Sequence, residues 1–202
     1  MITVAIAGFG LWGQHMLRRL EGHQGIKVKM VIDPSPERQR QIAEMNAEAV
    51  SDLDAALNDP EIDAVILTTP NQLHEEQVTA SAKAGKHVFC EKPLGLTGAS
   101  AKRSVEACQK AGVVLGIGHE RRFEPALVEV RKMVEAGELG TLMHVEAAFS
   151  HDKLTNVPAG DWRTSKAVCP AAGMTGMGIH LSDLYIAMFG RVRTVQALTA
   201  DR

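Results

Sequence analysis

Apolar runs alternate with mixed polar stretches through the first 118 residues. Ile2-Thr3-Val4-Ala5-Ile6-Ala7, Ile26 to Ile32, Ile62 to Thr68, Lys86 to Cys90 and Val113 to Ile117 read as strands, with Ala47 to Val50 as a shorter one. An unbroken apolar run such as Ile62 to Thr68 suits a strand covered on both faces. The intervening segments read as helices with local start and stop signals. Ser35-Pro36-Glu37 supplies an N-cap, a proline first residue and an acidic first turn for Ser35 to Met45. Ser51-Asp52-Leu53-Asp54 opens a short helix, again with a capping residue and first-turn acids. Asn71 to Ala84 ends at Gly85, and Thr97 to Ala111 ends at Gly112. Strands separated by helices of this length require crossovers, so the pattern predicts an α/β, doubly wound parallel sheet with helices on both faces.

The pattern changes at Gly118. Glu124 to Ala136 reads as a helix closed by Gly137, Leu142 to Phe149 as a strand, and 151–172 as a loop rich in Gly, Pro, Ala and Ser. Met174 to Phe189 reads as one helix and Val192 to Thr199 as a final strand. We therefore expect residues 1–118 to form one domain and 119–202 to begin a second, incomplete α+β domain. Two strands and two helices are few for an independent core.

Candidate chemistry begins in the first thirty-three residues. Gly8-Phe9-Gly10-Leu11-Trp12-Gly13 follows the first strand directly, and Asp33 ends the second strand twenty residues after Gly13. Gly8 permits the tight turn, Gly10 lets a pyrophosphate approach the backbone, and Gly13 allows close helix–sheet packing. The helix start supplies unpaired N–H groups and a favourable dipole for an anion. Asp33 can accept both ribose hydroxyl protons of a dinucleotide and would repel a 2′-phosphate, which favours NAD over NADP. With eighteen glycines in 202 residues the glycine spacing alone is weak. Its strand, helix and distant acid make it a dinucleotide-binding Rossmann unit, against the bland reading of a tight turn with no ligand.

Composition narrows the classes. The chain is 45% apolar and 23% charged, with a formal charge of −2, so it is globular and carries no electrostatic footprint for nucleic acid. No apolar run is long enough for a membrane helix. A strand starting at residue 2 leaves no room for a leader, and three cysteines without metal-like spacing read as small buried hydrophobes in a reducing cytoplasm. His15, His23, His74, His87, His144 and His151 show no ligand spacing, so no metal is expected.

Three more motifs follow the glycine loop: Thr68-Thr69-Pro70-Asn71-Gln72-Leu73-His74, Glu91-Lys92-Pro93 and Gly178-Ile179-His180-Leu181-Ser182-Asp183. Gly118-His119-Glu120-Arg121-Arg122-Phe123 stands between the domains. In this order the motifs resemble the glucose–fructose oxidoreductase / inositol dehydrogenase / rhizopine-catabolism (Gfo/Idh/MocA) family. That resemblance implies an NAD(P)-dependent oxidoreductase acting on a sugar, polyol or related hydroxyl compound. It implies a second domain whose mostly antiparallel sheet often mediates oligomerisation. Gly8, Phe9, Gly10, Leu11, Trp12, Gly13 and Asp33 would hold the adenosine half of NAD, with NADP possible. Thr69, Pro70, Asn71, His74, Glu91 and Lys92 would line the cofactor cleft. His180 and Asp183 would reach the substrate, and Trp162-Arg163 is a looser match to an aromatic–basic pair near the nicotinamide. Two features depart from the family. Gly176 stands four residues before His180, where many members have Asp, and the chain is shorter than family chains, which usually exceed three hundred residues.

As hydride leaves a carbinol carbon, its hydroxyl must lose a proton. A cation beside the oxygen stabilises the developing alkoxide, and a base takes the proton. Lys92, just beyond a strand's carboxyl end, suits the first role and can serve in the second. His180 is the expected proton carrier by intrinsic pKa, with Asp183 at i+3 as its orienter. Against these stand a solvated turn lysine and a histidine that merely satisfies a carbonyl. His119 and Glu120 are either ligands or members of a salt bridge with Arg121 or Arg122. The alternative class is a non-catalytic dinucleotide-binding sensor or relic, and a third is an assembly partner that binds no dinucleotide. An unpaired edge at Val192 to Thr199 would favour self-association.

Overall fold

A computed structural model describes residues 1–150, 152, 157, 158, 160–170 and 173–198. The chain divides into two compact units, Met1–Gly118 with Val157–Ala172, and His119–Asn156 with Gly173–Arg202. The expected loop after residue 150 is thus shared: its described residues from Val157 onward belong to the first unit.

The first unit runs β1 (Ile2–Ala7), α1 (Leu11–Leu20), β2 (Ile26–Ile32), α2 (Pro36–Glu44), β3 (Glu48–Val50), α3 (Asp54–Leu57), β4 (Ala64–Leu67), α4 (His74–Lys83), β5 (His87–Cys90), α5 (Gly98–Ala111) and β6 (Leu115–Ile117). All six strands are parallel in the order β3-β2-β1-β4-β5-β6. The chain leaves β1 toward one edge and returns beside it with β4. This reversal is the point where open α/β sheets open a crevice for ligands.

Alternation along the strands builds two cores. Val4 and Ile6 face one side with Leu17 of α1 and Ile42 of α2. Ala5 and Ala7 face the other with Ala56, Val78, Ala82 and Cys108 from α3, α4 and α5. Both faces are therefore covered, as the unbroken apolar runs require. The Ser35 cap matches its sequence signal, whereas α3 starts from Leu53 without the expected side-chain cap. The Ser35 hydroxyl accepts from Arg38 N, and Thr97 forms a reciprocal capping box with Ser100.

Register sets the height of everything beyond the sheet. Val50, Ile32, Ala7, Leu67, Cys90 and Ile117 pair in one row across all six strands. The residues just past that row are Asp33, Gly8, Thr68, Glu91 and Gly118 for β2, β1, β4, β5 and β6.

The second unit contains the 3₁₀ turn Glu120–Phe123, α6 (Pro125–Glu135), the π-helix Met174–Gly178 and α7 (Ile179–Phe189). The single helix expected over Met174 to Phe189 is thus a π turn followed by an α-helix. Gly176 and Gly178, poor α-helix formers, lie within the π turn, and the Met174 thioether fills the space beside Gly178. The strands expected at Leu142 to Phe149 and Val192 to Thr199 do not form among their described residues. A strand is held by its neighbours' ladder, and no strand partner is present for either segment among the described residues. Met143, Val195 and Leu198 are accordingly 87%, 76% and 100% exposed.

Candidate functional site

The glycine loop joins β1 to α1 under tight steric control. Gly8 has φ +91°, and a Cβ there would sit 2.9 Å from the Thr68 carbonyl carbon. At Gly13 a Cβ would overlap the Gly8 carbonyl oxygen and come within 3.0 Å of Thr68 Oγ1. Gly10 differs: nothing lies within 4 Å of where its Cβ would be. It is the N-cap of α1, so the amides of Leu11, Trp12 and Gly13 start the helix without intrahelical partners. Open space over a helix start is what a pyrophosphate requires, and the loop fits a dinucleotide on that ground. Leu11 and Trp12 are exposed, and Trp12 packs edge-on against His15. Phe9 is corrected from the expected set of ligand contacts. Its ring is 1% exposed in the core below, and its N–H is already donated to Asp33.

Asp33 is 2% exposed and accepts three bonds. Oδ2 takes Phe9 N at 2.8 Å and the Arg38 guanidinium at 3.1 Å, while Oδ1 takes Ser35 N at 3.0 Å. A carboxylate offers about four lone-pair positions, so one, on Oδ1, is left for a ribose hydroxyl instead of the two acceptances expected. The other three bonds tie the glycine loop to the start of α2.

Beyond β4, Thr69 Oγ1 donates to Gln77 Oε1 at 2.5 Å, and Pro70 precedes the 3₁₀ turn Asn71–Leu73. The buried Asn71 donates to Val168 O at 3.2 Å. His74 is fully enclosed and so does not line a cleft as expected. Its Nδ1 lies 2.6 Å from Pro93 O and its Nε2 2.9 Å from Thr69 O, making it a strut between the loops after β4 and β5. Burial holds this imidazole below its ordinary pKa, and the nearby Lys92 charge acts the same way; the two carbonyls oppose them. Glu91 is 7% exposed, with its carboxylate packed beside Gly118. Lys92 is half-buried, and its N–H points to Glu91 Oε2 at 3.3 Å. The Lys92–Pro93 peptide is cis. Arg163 stacks its guanidinium 4.4 Å from the Trp162 ring centroid and pairs with Asp161.

The second unit gathers its own cluster. His180, 3% exposed on α7, has Nδ1 3.7 Å from Glu120 Oε2. Asp183 is not the orienter expected for it. Both Asp183 oxygens accept from Arg122, at 2.6 and 2.5 Å, and His119 Nδ1 stands 3.7 Å from Oδ2. This bidentate contact holds the Arg122 guanidinium above its usual pKa. Arg121 bonds Glu124 and lies 3.7 Å from Glu120.

Sequence reasoning passed over Arg38 and gave Thr68 no role of its own, while it left Glu120 as either a ligand or a salt-bridge partner of Arg121 or Arg122. Thr68 Oγ1 donates toward Ala7 O and Gly8 O at 3.0 and 2.8 Å, closing the glycine loop from the neighbouring strand. Its position just past the apolar run of β4 was the available signal. Burial lifts the Cys90 thiol far above its usual pKa, in keeping with its expected role as a small hydrophobe. No described helix is long and apolar enough to cross a membrane.

Comparison with known proteins bears on both units. The profile of an oxidoreductase family with an NAD-binding Rossmann fold, GFO_IDH_MocA, matches residues 2–119, and the GFO/IDH/MocA C-terminal domain matches 127–202. The chain is 37% identical over 144 residues to 2,7-anhydro-N-acetylneuraminate hydratase of Escherichia coli (strain K12), covering 71% of this chain and 38% of that protein. It is 31% identical over 172 residues to inositol 2-dehydrogenase of Salmonella typhimurium, covering 83% and 50%. The crystal structure of GenD2 from gentamicin A biosynthesis in complex with NAD superposes with TM-score 0.85 at 28% identity, over 94% of this chain and 54% of that one. The chain thus spans half or less of the length of these two curated relatives.

Proposed function

Because this chain belongs to the Gfo/Idh/MocA oxidoreductase family, we propose that it transfers a hydride between a nicotinamide dinucleotide and a sugar, polyol or related hydroxyl or carbonyl compound. The carrying observation is the open face at Gly10 over the first turn of α1, with Asp33 bonded into the same loop. The amides of Leu11, Trp12 and Gly13 receive the pyrophosphate, and the remaining Oδ1 position of Asp33 receives a ribose hydroxyl. The bound nicotinamide supplies the site that accepts or returns the hydride. Proton handling belongs to the chain. The Lys92 ammonium, held by the turn that His74 braces, stabilises the alkoxide oxygen. His180 takes the hydroxyl proton.

Titration with NADH and NADPH, followed by turnover on a panel of polyols and aldoses, tests this reading. Saturable binding with substrate-dependent NADH formation supports it, and no saturable binding refutes it. The 37% relative favours a second reading, water addition to an anhydro sugar. Hydration is redox-neutral, so it would yield product without net change in NADH. We further propose a cytoplasmic, homo-oligomeric protein. Its buried thiols require no oxidising compartment, and exposed Met143, Val195 and Leu198 suit contact with another copy. A monomer by light scattering at high concentration would count against association.

A further inference from the structure

Resting on the reading in which His180 moves the proton, we propose that Glu120 is the positioning residue of His180. The carboxylate that orients its ring comes from the turn Glu120–Phe123, and not from Asp183 on the histidine's own helix. His180 Nδ1 faces Glu120 Oε2 at 3.7 Å, an ion-pair separation. Asp183 is committed elsewhere, through its bidentate pair with Arg122 and its approach to His119. That guanidinium fork is the strongest tie in the cluster and fixes Asp183 in place.

Glu120 is half-exposed, so it can close on the buried ring when the ring gains charge. The His119 ring stands edge-on to His180, with centroids 6.2 Å apart and planes at 90°, and limits its rotation. The charged and titratable groups around the pair are Glu120, His119, Arg121 and Arg122 from the turn and Asp183 from α7, among the described residues. Nδ1 is the ring nitrogen that faces Glu120. When His180 takes the proton, the substrate O–H bond breaks, a ring N–H bond forms, and Glu120 balances the positive ring. Gly176 lies in the π turn before His180, and nothing stands within 4 Å of the place a Cβ would take, so a substitute carboxylate has room there.

The test is the pH titration of the His180 ring resonances in the full chain, assigned with His180→Asn. In Glu120→Gln the midpoint should fall, because an opposite charge is removed. It should return toward the native value in Glu120→Asp and in Glu120→Gln combined with Gly176→Asp. An unchanged midpoint in Glu120→Gln overturns the proposal, as does a larger fall in Asp183→Asn. Where turnover is measured, Glu120→Gln lowers kcat roughly tenfold, with KM and the NADH Kd unchanged. A native kcat also overturns the proposal. The titration needs no turnover, so failure of the native chain to bind NADH would sink the proposed function while this measurement still decides on Glu120.

Discussion

Substituting two glycines of one loop separates packing from ligand approach. In Gly13→Ala the new methyl overlaps the Gly8 carbonyl oxygen and stands 2.9 Å from its carbon, where ordinary contact begins near 3.4 Å. The oxygen, 1.9 Å from the new methyl, sets the shift, so helix α1 must retreat from β1 by about 1.5 Å. An interior Gly→Ala exchange normally stabilises a helix by about 1 kcal/mol. Overpacking against backbone costs about 3 kcal/mol. The net is a loss of about 2 kcal/mol, or roughly 4–8 °C in Tm for a chain of this size.

Gly10→Ala behaves differently. The position has φ −73°, which alanine adopts freely, and empty space around it. Alanine is a poorer N-cap than glycine by a few tenths of a kcal/mol up to about 1. It offsets that by stiffening the unfolded chain by about 0.4–1 kcal/mol. Stability should therefore stay within about 0.5 kcal/mol of native. The methyl, however, occupies the face where the pyrophosphate meets the backbone, so NADH affinity should fall roughly tenfold or more. Urea unfolding and NADH fluorescence titration on both variants decide the matter. A Gly10→Ala protein with native NADH affinity refutes the assignment of the loop as the pyrophosphate seat. A Gly13→Ala protein with native Tm refutes the packing argument.

Three other outcomes follow from the same geometry. Asp33→Ser removes the anion near the ribose and leaves Arg38 unbalanced, so the ratio of NADPH to NADH affinity should rise roughly tenfold; an unchanged ratio in paired titrations refutes the role of Asp33. Lys92→Ala should cut turnover roughly a hundredfold or more while leaving NADH affinity near native, and full turnover would remove Lys92 from the chemistry. His74 is held below its ordinary value of 6.5, so the unfolded chain protonates first as pH falls. Its contribution is intact above that value and is lost as pH drops through the window beneath it. Urea unfolding between about pH 5 and 7 should show this slope in the native chain and a shallower one in His74→Gln; equal slopes would contradict the burial.

How far the sequence was legible depended on how local each cause was. The parallel sheet could be read because strands buried on both faces need unbroken apolar runs, and Val65, Ile66 and Leu67 are such a run. The glycine loop could be read because its glycine spacing falls within six residues, although the Thr68 backbone that crowds Gly8 lies sixty residues on. Segments 142–149 and 192–198 could not, because apolar side chains alone do not make a strand without a neighbouring ladder. Asp183 was misjudged for a similar reason. Its i+3 spacing names a neighbour on the same helix, but Arg122, sixty-one residues earlier, reaches both of its oxygens. The roles of His74 and Glu120 were hidden because partners from separate segments assign them.

The irregularity in the sheet shows how a local fault can serve the site. Between β1 and β2 the register slips after Val4, from Val4↔Val28 to Ala5↔Met30, so Lys29 has no partner in β1. Before the slip Ile26 and Val28 face the same core as Val4; after it Val31 takes that face while Met30 and Ile32 join Ala5 and Ala7. Continued alternation would have turned Lys29 into the core containing Ala5. The bulge instead leaves its ammonium bonded to Asp59 and Glu61, both at 2.6 Å. It also sets Ala7 opposite Ile32 instead of Val31, placing Asp33 one residue beyond the row, level with Gly8. At about 3.3 Å per residue, one step of misregister would carry Asp33 out of reach of Phe9 N. The three bonds that Asp33 makes to the loop and to α2 therefore depend on an extra residue, Lys29, inserted in the middle of a strand.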